Sequence, residues 1–227
     1  MIAILFDLEG TLVQSIESNQ EAVVDFRVKT REKLIDLGVP SNMLKGETRS
    51  ILMRNKAIEY VEKNFGYDEA KRFHAEMDKF LKSYELFWAN RSKIFSDTIP
   101  TLRKLKKLGY KMGLVTSTSR DAANRILSIH RIGSFFDVVV TREDVKRFKP
   151  NPEAILLALK KLNEHNFFFV GDYIYDSQAT ERAGGICLIV NRNASKKLKV
   201  KTHYAVSSLT EIPSLIQKLV FLFKFSI

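Results

Sequence analysis

Asp7, Glu9, Gly10 and Thr11 follow directly on the apolar run Met1-Ile2-Ala3-Ile4-Leu5-Phe6. A short buried strand that delivers a carboxylate, a second acid, a glycine and a hydroxyl into a sharp turn can aim one acid at phosphorus and hold a metal ion beside it. Three further segments carry matching chemistry in a fixed order. Met112-Gly113-Leu114-Val115 runs into the hydroxyls of Thr116 and Ser117, donors suited to a phosphoryl oxygen. Phe148-Lys149-Pro150-Asn151-Pro152-Glu153 sets a lysine just before a proline-marked helix start. Phe167-Phe168-Phe169-Val170-Gly171 leads into Asp172 and Asp176, spaced i, i+4. Singly, each has a duller reading: Asp7 and Gly10 suit an ordinary turn, Asp172 could cap a helix holding Asp176, and Lys149 could be a surface lysine. Jointly, they place polar groups at successive strand ends, where they can converge.

The elements that must position them follow from periodicity. From about residue 95 the chain alternates helix and strand: Leu102–Leu108, Met112–Val115, Asp121–Leu127, Val138–Val140, Pro152–Leu162, Phe167–Val170, Ser177–Ala183, Ile186–Val190 and Tyr204–Val206. Short β-branched runs separated by helices imply parallel strands joined by right-handed crossovers. The first strand belongs to the same sheet, and open parallel sheets bind ligands at the carboxyl ends of their strands, where Asp7, Thr116 and Asp172 fall. Residues 15 to 93 read as helical instead. Val23, Phe26, Thr30, Leu34 and Leu37 form one stripe ending at Gly38, with Pro40 as a stop. Met53, Ala57, Tyr60, Val61 and Phe65 form a second, running to Gly66, and Phe73, Met77, Phe80, Leu81, Tyr84, Phe87 and Trp88 a third. This small bundle is an insertion hinged near Gln14-Ser15 and residues 92–96.

Together the four segments resemble the haloacid dehalogenase-like superfamily of aspartyl-nucleophile hydrolases, most of whose members are magnesium-dependent phosphatases. The resemblance covers roughly residues 1–14 and 95–213; the insert matches by position and helical character. It implies an α/β fold, a Rossmann-like parallel sheet flanked by helices, with a small all-helical cap domain inserted. The core would span residues 1–14 and 95–227 and the cap 15–94. Carried over residue by residue, it implies Asp7 as nucleophile and metal ligand and Glu9 as general acid/base whose backbone carbonyl also meets the metal. Thr116 would hydrogen-bond the phosphoryl group, Lys149 would balance its charge and orient Asp7, Asp172 would be a further carboxylate ligand of Mg²⁺, and Asp176 a second one or a partner just outside the ligands; the cation prefers hard oxygen donors. The chain departs from the common pattern in three places: Glu9 where most such phosphatases carry Asp, Ser117 where many have Asn, and Phe148 in place of Gly. The extra methylene of Glu9 moves its carboxyl outward by about 1.5 Å.

The expected activity is a Mg²⁺-dependent phosphatase acting on a small phosphorylated metabolite through an aspartyl-phosphate. One alternative is a metal-free haloacid dehalogenase using Asp7 on carbon, against which the clustered carboxylates speak, since without a cation they repel one another and an anionic substrate. Another is a non-catalytic, polyanion-binding module on a degenerate core. Substrate choice lies in the insert, where Glu17, Asn19, Arg49 and Arg54 are polar candidates for facing the pocket.

The length of 227 residues suits one ordinary domain and a smaller one. Net charge is +11, with basic clusters at Arg103-Lys104-Leu105-Lys106-Lys107 and Lys196-Lys197-Leu198-Lys199-Val200-Lys201. Neither interleaves aromatics as a single-strand binder would, so they read as solvated faces and argue against a nucleic-acid partner. The lone cysteine, Cys187, lies in an apolar run and reads as a buried small hydrophobe. The histidines, His74, His130, His165 and His203, lack metal-ligand spacing. The opening apolar run is too short for a secretory leader and follows no basic region, which points to a cytoplasmic protein. The apolar tail from Leu219 is too short to span a bilayer and reads as a closing helix or strand; oligomeric state is left open.

Overall fold

The computed structural model describes residues 2–14, 20–47, 50–192 and 204–224. Among them, β1 (Ile2–Phe6), β2 (Lys111–Val115), β3 (Val138–Val140), β4 (Asn166–Gly171), β5 (Ile186–Val190) and β6 (Tyr204–Val206) form one parallel sheet in the order β3-β2-β1-β4-β5-β6. Ile4 stands level with Met112 on one side and Phe168 on the other, so β1 sits at the centre. The strand order reverses between β1 and β4, which opens a crevice at their carboxyl ends.

Successive side chains point to opposite faces of a strand, and that alternation divides the core in two. Ile4, Phe6, Met112, Leu114, Phe168 and Val170 pack with α3 (Thr98–Lys107), α4 (Arg120–Ile129) and α7 (Ile212–Lys224). Ala3, Leu5, Phe167 and Phe169 face α5 (Glu153–Leu162) and α6 (Ile174–Arg182). This is the expected Rossmann-like α/β architecture. Cys187 is buried, and burial pushes its thiol up to about 12, so it remains protonated.

Between β1 and α3 lie α1 (Gln20–Asp36), a short 3₁₀ turn and α2 (Ser50–Ala89), which pack a third cluster of Leu34, Leu44, Met53, Ala57, Phe73 and Met77. Gly66, at φ +81°, breaks α2 where the second stripe was expected to end, so three helical stretches are present. The connecting segments run side by side: Gln14 N–H donates to Lys93 O at 2.8 Å, and Val13 lies antiparallel to Ile94. Ser15 lies outside the described residues.

Some expected core positions are exposed. Phe65, the last residue before the break at Gly66, is solvent-facing with its ring edge-on to Tyr60, and Phe87 lies outward against Trp88 with the Arg91 guanidinium over its ring. Leu108 is exposed because α3 ends at Lys107 and the following residue leaves the buried face. The basic residues of α3 are indeed its solvent side. The second basic cluster and residues 225–227 lie outside the described residues. The tail forms the last part of α7, with Ile212, Ile216 and Leu219 buried and Phe221 and Leu222 exposed. No helix among the described residues is long and apolar enough to cross a membrane.

Candidate active site

Asp7 begins where β1 ends, and its backbone N–H donates to Val170 O at 2.9 Å, which ties it to β4 across the crevice. Two glycines make room for the neighbouring acids. A Cβ on Gly10 would lie 2.3 Å from Asp172 Oδ2, and one on Gly171 would lie 2.5 Å from Asp176 Oδ2. Gly10 also needs its left-handed φ of +84°, which a side chain resists. Asp176 lies in the first turn of α6, which starts earlier than the sequence suggested. Its Oδ2 accepts N–H bonds from Tyr173 at 3.0 Å and Asp172 at 3.2 Å, so Asp176, rather than Asp172, closes this helix start.

Lys149 is the hub. An ammonium offers three N–H groups, and its Nζ lies 2.6 Å from Asp7 Oδ1, 2.7 Å from Asp176 Oδ1 and 3.3 Å from Val115 O. It is 6 % exposed, so these contacts replace water rather than compete with it. Burial lowers its pKa, but Asp176 and Asp7 outweigh that and leave the lysine firmly charged. Burial pushes the Asp7 carboxyl up to about 6; Lys149 opposes the rise and Asp176 adds to it. One lysine therefore does not neutralise the buried anions around it.

Asp7, Asp172 and Asp176 each present an oxygen within 4.8 Å of the others. A set of hard carboxylate donors this close, with Asp7 still destabilised as an anion, fits a divalent cation such as Mg²⁺. Thr11 Oγ1 donates to Asp172 Oδ1 at 3.3 Å and steadies that corner.

The acids open into a cavity of about 240 Å³ whose lining includes Asp7, Glu9, Thr116, Lys149, Asp172 and Asp176. The six residues expected to hold the metal or act on the phosphoryl group thus border one space. Thr116, buried after β2, accepts the Thr118 N–H at 3.1 Å, and Thr118 Oγ1 donates to Glu9 Oε2 at 3.3 Å. The Glu9 carboxyl is thereby held on the β2 side, apart from the Asp7, Asp172 and Asp176 oxygens.

The opposite wall comes from the helical insert and was largely missed. Phe26, Leu81, Tyr84, Glu85 and Trp88 line it, together with Arg54. By spacing Phe26, Tyr84 and Trp88 are stripe residues, because an aromatic facing a cavity has the same helical spacing as one facing a core. Arg54 is found at the cavity; Glu17, Asn19 and Arg49 lie outside the described residues. Arg142, buried after β3, carried no motif, and its one signal was its place at a strand's carboxyl end.

Residues 4–190 match the family model of haloacid dehalogenase-like hydrolases. The chain is 33% identical over 194 residues to the pyrophosphatase PpaX of Bacillus velezensis, covering 80% of this chain and 79% of that protein. It is similar to a HAD phosphatase from Thermococcus onnurineus, with a TM-score of 0.61, 26% identity and coverage of 95% and 98% of the two chains. A hydrolase from Pseudomonas syringae shares the fold, with a TM-score of 0.64 at 20% identity and coverage of 96% and 99%.

Proposed function

The chain belongs to the haloacid dehalogenase-like hydrolase family, and on that premise we propose that it is a Mg²⁺-dependent phosphatase that hydrolyses a small phosphorylated metabolite through an aspartyl-phosphate. The observation that carries this reading is the convergence of Asp7, Lys149, Asp172 and Asp176 at the crevice between β1 and β4. The pyrophosphatase and phosphatase names of similar proteins support the same class.

In this reading residues 1–14 and 95–227 are the catalytic core and residues 15–94 the cap, which supplies the far wall. Asp7, Asp172, Asp176 and the Glu9 carbonyl would hold the cation. Bound there, Mg²⁺ supplies positive charge that keeps the carboxylates ionised and draws charge from the phosphoryl oxygens.

The chain's own groups do the rest. An Asp7 oxygen attacks phosphorus and the bond to the leaving oxygen breaks, while Glu9 gives that oxygen its proton. Glu9, now a carboxylate, takes a proton from water, and the water oxygen attacks phosphorus to release inorganic phosphate and restore Asp7. Lys149 holds Asp7 by one oxygen and offsets charge on the phosphoryl group, to which Thr116 donates from β2.

Hydrolysis of p-nitrophenyl phosphate with and without Mg²⁺ tests this. Asp7→Asn is expected to reduce turnover to background and omission of the metal to reduce it at least about 10²-fold. Turnover that persists in Asp7→Asn removes the nucleophile. Activity on haloacids but not phosphate esters would turn the reading toward a dehalogenase.

A further inference from the structure

One helix face of the insert turns toward the cavity instead of a core. Leu81, Tyr84, Glu85 and Trp88 of α2 all border the cavity, and their spacing of i, i+3, i+4 and i+7 is that of a single face. Phe26 of α1 borders it beside Tyr84, with ring centroids 5.3 Å apart. On the core side Tyr173 and Tyr175, just past Asp172 at the end of β4, border the same space, their rings edge to face at 5.0 Å. Tyr84, Trp88, Tyr173 and Tyr175 are half-buried and belong to none of the three apolar clusters among the described residues. Their rings thus hold apolar surface at the cavity that no core uses, and such surface costs free energy in water that a ligand recovers by covering it.

Charge points the same way. The guanidinium groups of Arg54 and Arg142 are met by Asp78 and Glu85, and the other Glu85 oxygen accepts the Ser119 N–H at 3.0 Å. Arg27 is engaged as well. The two arginines and two acids balance one another, so what this wall has left to offer a ligand is aromatic surface. Size permits a ring: a space of about 150 Å³ takes up benzene, and the cavity of about 240 Å³ also has room for a phosphoryl group beside Asp7.

We propose that Phe26, Tyr84, Trp88, Tyr173 and Tyr175 bind the leaving group of the substrate, so that the substrate is a phosphate ester of an alcohol bearing an uncharged aromatic ring. This rests on the phosphatase reading of the same cavity. Rings on two walls can meet a planar guest by offset or edge-to-face contact. The guest ring lies away from the breaking bond, so its burial acts on KM more than on kcat.

The test compares kcat/KM, in Mg²⁺, for 2-phenylethyl phosphate and ethyl phosphate, whose leaving groups are both primary alcohols of similar acidity. Wild type is expected to favour the phenyl ester about 10- to 100-fold, the value of burying one ring, chiefly through a lower KM. A ratio near one or below overturns the subsite while leaving the phosphatase intact. The saturated 2-cyclohexylethyl phosphate is expected to trail the phenyl ester about 2-fold or more, because a puckered ring does not stack; parity overturns the aromatic assignment. Trp88→Leu and Tyr175→Leu, one from each wall, are each expected to lower the phenyl-to-ethyl ratio about 5-fold or more. An unchanged ratio in either variant, shown to be folded by thermal melting, overturns the proposal; if neither folds, the wild-type ratios decide alone. If neither ester turns over, calorimetric binding of the two decides the subsite, and the phosphatase reading itself falls only if p-nitrophenyl phosphate is untouched as well. Trp88 is the only tryptophan of the chain, so its emission reports on the wall directly. Binding of the phenyl ester about 10-fold or more tighter than the ethyl ester, with a shift in that emission, sustains the subsite; equal binding or unchanged emission overturns it.

Discussion

A methyl group on residue 10 would need the space that the Asp172 carboxylate fills, in a backbone conformation that side chains avoid. The glycine is therefore part of the acid cluster and not merely a turn. Gly10→Ala is expected to displace Asp172, to cost about 1–3 kcal/mol in stability and to reduce kcat/KM about 10²-fold or more. Thermal melting and steady-state kinetics check the two effects, and a variant as active as wild type would mean that Asp172 can move without loss. Gly171 has the same relation to Asp176 but lies at the end of β4, so the clash there presses on the helix start as well as on the acid. At the same scale Glu9 accepts from Thr118 Oγ1 on the β2 side, an arrangement in keeping with the proton-exchanging role proposed for it.

At the scale of elements, several segments of the core are tied together through Asp97, just ahead of α3. Its carboxylate accepts Arg192 Nη1 at 2.9 Å and Nη2 at 3.0 Å, Ser208 Oγ at 2.8 Å and Leu209 N–H at 2.9 Å. Arg192 in turn donates to Thr11 O at 2.9 Å, so the loop after β5, the turn after β1 and the start of α3 are tied through one acid. Burial raises the Asp97 pKa, but these donors outweigh it and hold the carboxyl below its ordinary 3.8. A depressed carboxylate contributes stability that is fully present above the ordinary value and lost as pH falls through the lower folded one. Asp97→Asn is therefore expected to cost about 1–3 kcal/mol at neutral pH, with the gap to wild type flat down to about pH 4 and closing below it. Denaturant melts at stepped pH check this; a gap that widens in acid would contradict the bonding described.

At the scale of the whole molecule, the insert meets the core partly through apolar contacts, with Phe148 in the insert's cluster and Ala89 in the core's, and partly through a polar seam. Across that seam Arg142 meets Asp78 and Glu85, Arg147 meets Glu62 at 2.7 Å, and Arg125 donates to Asn90 at 2.7 Å. The cavity bordered by Asp7 and Lys149 is part of this seam. A cation held by the native carboxylates and not by the unfolded chain must stabilise the fold by mass action, by about 2.7 kcal/mol at 100 times its dissociation constant. For a chain of this size that is a rise of about 5–10 °C in Tm. Wild type is expected to show it with MgCl₂, and Asp172→Asn to lose most of it; scanning fluorimetry reads both.

The sheet, the order of its strands along the chain and the four polar segments were legible in the sequence because each depends on neighbours within a few residues. Alternating apolar runs such as Phe167–Val170 make a strand whatever lies beyond it, and a polar residue just past such a run must emerge at the strand's end. Gly38 and Gly66 marked their helix breaks by the same local rule. Tertiary structure alone decided that Lys149 stands between Asp7 and Asp176, residues 142 and 27 positions away. It also set Arg54 and Arg142 around Asp78 and turned Tyr84 and Trp88 toward a cavity instead of a core. Helical periodicity tells which side chains share a face, but what a face meets depends on how the insert packs on the core, and that is fixed by contacts between residues far apart in the chain.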